Sequence, residues 1–281
     1  FSDDNWSEAS YGDYPYLTWE ENVNTVADLE GISTGDLTAR YRQGANIDLT
    51  GVVWGGYVIG NSTTPFSGMF NGNGYTISNL TIYVPLISDV GLFGYISATA
   101  QLSAITLINA DVTGNYRVGV LAGYNSGIIT NSSSTGTVNA FEYAGGLVGL
   151  NKNTGSISNS HSTCTVNASI EIGGLVGANY DGGVISDSYA TGAVTGTDAF
   201  AGGLVGNNHL ATITDCYATG TVTGDTYVGG LAGHNYSGTI TRCYYITGTV
   251  TGTENVGGLV GKSTEGAIIT GSYSTGSVNG T

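Results

Sequence analysis

Apolar residues recur along this chain in three sets, separated from one another by polar Ser, Thr and Asn. Leu121, Leu147, Leu175, Leu204, Leu231 and Leu259 make one set, and Ile129, Ile157, Ile185, Ile213, Ile240 and Ile269 a second. Val138, Val166, Val194, Val222, Val250 and Val278 make the third. A repeat of about 28 residues marks a chain that stacks one unit on the next and buries its apolar face only by stacking. The apolar runs are short and rich in β-branched residues and glycine, which suit strands and corners rather than helices. Three ladders per turn predict three short strands per turn, each in register with the strand above and below. The expected fold is all-β: a parallel β-helix, taken as right-handed, over residues 45–281.

A five-residue phrase punctuates the pattern. Gly-Gly-Leu-Val-Gly stands at Gly145–Gly149, Gly173–Gly177, Gly202–Gly206 and Gly257–Gly261, with Ala for Val at Gly229–Gly233. A degenerate copy begins at Gly119, and successive starts from there are 26, 28, 29, 27 and 28 residues apart. Four residues after each ladder Leu comes Asn125, Asn151, Asn179, Asn208 and Asn235, then Ser263. Stacked amides can hydrogen-bond along the axis, so this column is expected to be structural, with Asn235 too buried to carry a glycan. His161 shares a column with Tyr189, Tyr217, Tyr244 and Tyr273, and is expected as one more ring in a stack. Cys216 and Cys243 share a column with Ser132, Ser160, Ser188 and Ser272, which points, with Cys164, to reduced packing thiols.

The N-terminal stretch differs in kind. Thr18-Trp-Glu-Glu21 reads as a capping box, and Trp19, Val23, Val26 and Leu29 share a helical face before Gly31. Residues 17–44 are thus expected to hold a short capping helix and a lead-in strand, after an N-terminal arm at 1–16.

Charge narrows the function classes. The chain has 21 acidic and 6 basic residues, a net charge of −15, and 47 glycines. That balance opposes nucleic acid and anionic membranes as partners, since both need clustered Lys and Arg. No apolar run approaches the roughly 20 residues of a membrane span. Acidity with little Lys suits an extracellular or high-salt setting. Seven Asn-x-Ser/Thr sequons, among them Asn79 and Asn235, permit glycosylation in a secreted protein. The start at Phe1 is expected to reflect processing or excision from a longer chain, and the location is expected to be extracellular or at the cell surface.

Gly-Gly-Leu-Val-Gly-x-Asn followed by Gly-x-Ile and Tyr-Ala-Thr-Gly-x-Val-x-Gly, clearest over Gly202–Gly224 after substitution at single positions, resembles the GLUG-motif repeats of large secreted and surface proteins. The resemblance implies a β-solenoid serving as stalk or adhesive surface, with any chemistry in other domains. Some proteins carrying such repeats are immunoglobulin-A-cleaving metallopeptidases. This chain lacks the His-Glu-x-x-His of such a site, because His161, His209 and His234 are followed by Ser162, Leu210 and Asn235.

No enzyme and no cofactor are expected. The basic residues Arg40, Arg42, Arg117, Lys152, Arg242 and Lys262 lie scattered in sequence. One acid precedes each Gly-Gly: Glu142, Glu171, Asp198, Asp225 and Glu254. Stacked, these would make a negative ridge, and weak Ca²⁺ sites are the sharper version of that expectation. Outward columns such as Thr135, Thr163, Thr191, Thr219, Thr247 and Thr275 resemble the grids of ice-binding solenoids, although neighbouring columns are impure. The favoured function is a structural, self-assembling surface filament or coat. The coil holding Ile269 and Val278 offers an unpaired edge, and the arm offers Phe1, Trp6, Tyr11, Tyr14 and Tyr16. Docking of arm or cap on the next copy would build a head-to-tail homopolymer. The alternatives are a carbohydrate-binding adhesin using a Tyr-rich face, a polysaccharide-active β-helix enzyme and an ice-binding protein.

Overall fold

A computed structural model describes residues 20–55 and 59–280. The Phe1–Tyr16 arm, with Thr18 and Trp19, lies outside the described residues. The chain forms a parallel β-solenoid of about eight turns. A ten-stranded parallel sheet runs from Glu21–Val23 through Arg40–Gln43 to Ile268–Thr270. A seven-stranded parallel sheet runs from Phe93–Ile96 to Val260–Thr264, and the remaining strands stack in a third.

The ladders lie where the apolar pattern requires. Ile129, Ile157, Ile185, Ile213, Ile240 and Ile269 pair in register down the ten-stranded sheet, extended upward by Leu102, Phe70 and Tyr41. Val138 through Val278 pair in register in the third sheet, below Ile82 and Val112. All three ladders are buried as far as Leu231, Ile240 and Val250. On the last coil Ile269 and Val278 are exposed.

The strand count per turn is higher than the ladders imply. One turn contains Glu142–Gly145, Val148–Lys152, Ser156–Ser158 and His161–Ser162 before the Val strand begins at Thr165. The Leu ladder sits at a bend, not in a strand. Leu204 N donates to Leu231 O at 2.9 Å, as Leu175 N does to Leu204 O at 3.0 Å. The glycine phrase makes this bend an arch whose two arms lie almost in contact. A Cβ on Gly206 would come within 2.4 Å of Ile172 N on the preceding turn. One on Gly202 would meet Val205 O, within its own arch, at 2.0 Å. Only glycine permits such approach, and an arch closed by backbone alone splits one expected side into two strands.

The N-terminal helix begins later than the sequence suggests. Its capping box is Thr25 with Asp28, and it spans Val26–Thr34. Asp28 N donates to Thr25 Oγ1 at 3.2 Å, and the Asp28 carboxylate accepts from Thr25 N at 3.0 Å. Glu21 and Val23, expected within the helix region, instead pair with Tyr41 and Gln43 as the first strand of the ten-stranded sheet. Pairing satisfies backbone groups on the sheet edge that a helix there would leave open. Leu29 and Ile32 turn into the core, and sheet pairing already begins before residue 45.

The Asn column is a buried amide ladder. Asn125 Nδ2 donates to Asn151 Oδ1 at 2.7 Å, Asn151 to Asn179 at 2.8 Å, Asn179 to Asn208 at 2.9 Å and Asn208 to Asn235 at 2.9 Å. Each Nδ2 also donates to a corner carbonyl, Gly183 O for Asn179 and Gly238 O for Asn235. Fully satisfied polar groups of this sort fix register at little cost in stability. Asn235 is inaccessible to a glycan. The serine column works similarly: Ser132 N donates to Ser160 Oγ and Ser160 N to Ser188 Oγ, both at 3.1 Å. Cys164, Cys216 and Cys243 are free, buried thiols.

Candidate functional site

Directly before each arch, one residue per turn adopts left-handed backbone geometry. Asp89, Arg117, Tyr143, Glu171, Phe200, Tyr227 and Asn255 have φ between 52° and 63°. A side chain in this region costs on the order of 1 kcal/mol, and the coils above and below hold it in place. Acidic, basic, aromatic and amide side chains all occupy this column.

The acidic ridge does not form. Glu142 and Glu254 pair with Ile170 and Thr226, whereas Glu171 stands one position further on, in the left-handed column. Asp198 and Asp225 stand one position earlier, before Ala199 and Thr226. The varying distance from acid to glycine puts the five carboxylates in three columns. Among the described residues no group of three or more His, Cys, Asp or Glu could hold a metal ion.

The outer ring stack does form. His161, Tyr189, Tyr217, Tyr244 and Tyr273 stack with centroids 4.6, 4.8, 5.0 and 5.6 Å apart, within 14° of parallel. Rings stacked face to face commit their faces to one another and turn mainly edges and hydroxyls to solvent. In the Thr grid, Thr163 and Thr191 fall between strands. His209 stacks on Tyr236, and its Nδ1 lies 3.4 Å from Asp181. His234 Nε2 is 3.0 Å from Thr264 Oγ1.

The arch face carries a second, less regular aromatic group with charges among it. Tyr116, Arg117, Tyr143, Leu150, Lys152 and Tyr180 line a cleft of about 450 Å³. Arg117 Nε lies 2.8 Å from buried Asp89, and Lys152 Nζ 3.0 Å from Asp181. Burial pushes the Asp89 carboxyl up, with Arg117 opposing it. Behind the cleft Glu171 is 6% exposed. Tyr180 Oη donates to its two carboxylate oxygens at 2.6 and 2.8 Å, and Asn207 Nδ2 donates at 3.2 Å. Burial outweighs these bonds and pushes the Glu171 carboxyl up to about 7.

That shift makes stability depend on pH. The folded state holds the proton more tightly than the unfolded one, so the contribution is present below the ordinary carboxylate value of 4.5 and is lost as pH rises towards 7. The expected loss is about 3 kcal/mol between those limits. Glu171→Gln removes this slope, so the variant should gain on the natural chain as pH rises from 4.5 to 8. Denaturant unfolding at several pH values checks this, and parallel curves would refute it.

Sequence reading missed this cleft, because Arg117 and Lys152 are 35 positions apart. The signal was in the columns: Arg117 aligns with Tyr143 and Phe200, and Lys152 pairs with Tyr180, which pairs with His209.

The arches, the Asn ladder and the Val ladder together are the content of a recognised repeat. The family model described as the GLUG motif matches residues 114–139, 142–167, 168–195, 201–223 and 252–279. The chain belongs to the GLUG-motif repeat family. Between the fourth and fifth GLUG matches the coil persists, but Tyr245 occupies the column of Ser162, Ala190 and Ala218 and donates to Gly220 O at 2.9 Å. A curated relative with related sequence is Halomucin of Haloquadratum walsbyi, 36% identical over 140 residues. That match takes in 45% of this chain and 2% of Halomucin. Among solved structures, a candidate immunoglobulin A1 protease from Bacteroides ovatus superposes with a TM-score of 0.70 at 20% identity. The superposition covers 90% of this chain and 83% of that one, and shows that the two share a fold.

Proposed function

We propose that this GLUG solenoid is a structural, non-catalytic element of an extracellular surface protein, and that copies stack head to tail into a filament or coat. The observation that carries the reading is register: ten parallel strands in one sheet pair without a break from Glu21–Val23 to Ile268–Thr270. At strand spacing that is a rod of roughly 43 Å. The relationship to Halomucin, the excess of carboxylates and the sequons support an extracellular location. Among the described residues no helix is long and apolar enough to cross a membrane.

The finer part, self-assembly, follows from the tendency of an open parallel sheet edge to pair with another strand. The reading assigns the N-terminal arm or cap of a neighbouring copy to that role. Negative-stain micrographs of residues 1–281 should show filaments that shorten when residues 1–16 are deleted. Short rods of one length at every concentration would refute self-assembly.

A further inference from the structure

We propose that the cleft beside Tyr143 is a carbohydrate site that takes a neutral sugar residue at the end or within a glycan chain. Its volume, about 450 Å³, lies in the range of small-ligand sites. Its ring geometry is opposite to that of the outer Tyr stack. Tyr143 and Tyr180 meet edge to face, with centroids 6.2 Å apart and planes at 84°. In such a pair one ring contributes only its edge, and its faces stay uncommitted to the other ring. An apolar face of a pyranose can lie on a ring face of that kind, where the C–H groups meet the negative side of the ring.

The charges select the class of ligand. Arg117 and Lys152 each already hold a carboxylate, Asp89 at 2.8 Å and Asp181 at 3.0 Å. The pairs nearly cancel, so an anion gains little by entering, and the chain as a whole repels it at −15. At the cleft lining, Arg117 and Lys152 still present N–H donors that their carboxylate partners hold in place. Sugar hydroxyl oxygens can accept from such donors without bringing a charge. Tyr180 is fixed as well, since Glu171 and Asn207 bind its hydroxyl from behind.

The cleft owes its existence to local departures from the repeat. On the facing strands Tyr95 and Tyr124 stack at 4.1 Å, and the next positions in their column are Leu150 and Ala178. Shorter side chains open the space. Further along, Phe200 stacks on Tyr227 at 5.0 Å and lies tilted against His234 at 5.4 Å. The aromatic surface is thus closed on either side and open in between.

The test uses the whole chain of 281 residues. An array of glycans ending in glucose, galactose, mannose or N-acetylglucosamine, together with sialylated and sulfated counterparts, would be probed first. Hits would be titrated by calorimetry. The expected result is binding of at least one neutral-ended glycan, weakened about tenfold or more by Tyr143→Ala and by Leu150→Trp. Leu150→Trp fills the space without removing any group thought to touch the sugar. Tyr217→Ala, in the outer stack, should leave affinity unchanged. Circular dichroism confirms that each variant is folded, and Tyr143→Phe, which keeps the ring, should retain most of the affinity. The proposal falls if no neutral glycan binds, if binding survives both cleft variants, if Tyr217→Ala abolishes it, or if only the sialylated and sulfated probes bind. None of these outcomes bears on filament formation, which is read by microscopy.

Discussion

Leu204→Asp should break the solenoid in its middle. Leu204 is wholly buried at the bend of its arch, and its backbone is bonded to Leu175 and Leu231 on the turns either side. A carboxylate there has no cation and no donor to meet it, because the core around it is aliphatic. Burying an unpaired charge and losing the Leu contacts together should cost about 4–5 kcal/mol. Since each coil touches only its neighbours, the damage should divide the array, leaving the coils before Leu175 folded. Thr219→Asp lies on the outer surface, half-buried, and should cost less than about 1 kcal/mol. Thermal unfolding followed by circular dichroism compares the two. Equal midpoints would show that the assignment of inner and outer faces is wrong.

Asn179→Asp changes one atom and should rank close behind. Asn179 Nδ2 donates to Asn208 Oδ1 at 2.9 Å and to Gly183 O at 3.2 Å, while its Oδ1 accepts from Asn151 at 2.8 Å. Aspartate keeps the acceptor but sets a second oxygen against those of Asn208, Gly183 and Thr212 in a site closed to water. Removing a donor from buried acceptors and adding an unpaired charge should cost about 3–5 kcal/mol. The charge can be neutralised by protonation, so the variant should recover part of its stability below pH 5. A loss under 1 kcal/mol at pH 7 would mean that the ladder does not hold the register.

Much of this architecture could be read from residue types because the constraint repeats. An Ile at 129, 157, 185, 213 and 240 announces one inward column, and the structure pairs these residues in register. Asn125 to Asn235 were legible for the same reason. The arch was not, since a glycine that permits close backbone approach reads the same in sequence as one that turns a corner. Thr18 and Thr25 both precede an acid by three residues, and only the pairing of Glu21–Val23 with Tyr41–Gln43 decides between them. The cleft was hidden for a further reason. It depends on where the repeat fails, at Arg117, Leu150 and Lys152, and averaging over columns discards such positions.

The stacking direction also sets how the molecule would bear a load. Every sheet bond between turns runs along the long axis, so tension on that axis pulls each interface straight apart, with its many bonds sharing the force. The interfaces, however, follow one another in series, and such a chain is as strong as its weakest link. The junction around Tyr245 is the odd one: a phenol fills the space that serines and alanines occupy elsewhere, and a Cβ on Gly276 would lie 2.2 Å from its ring. A stretched rod would be expected to part at a boundary where the filling changes, and the rest of its length would behave as a stiff spacer.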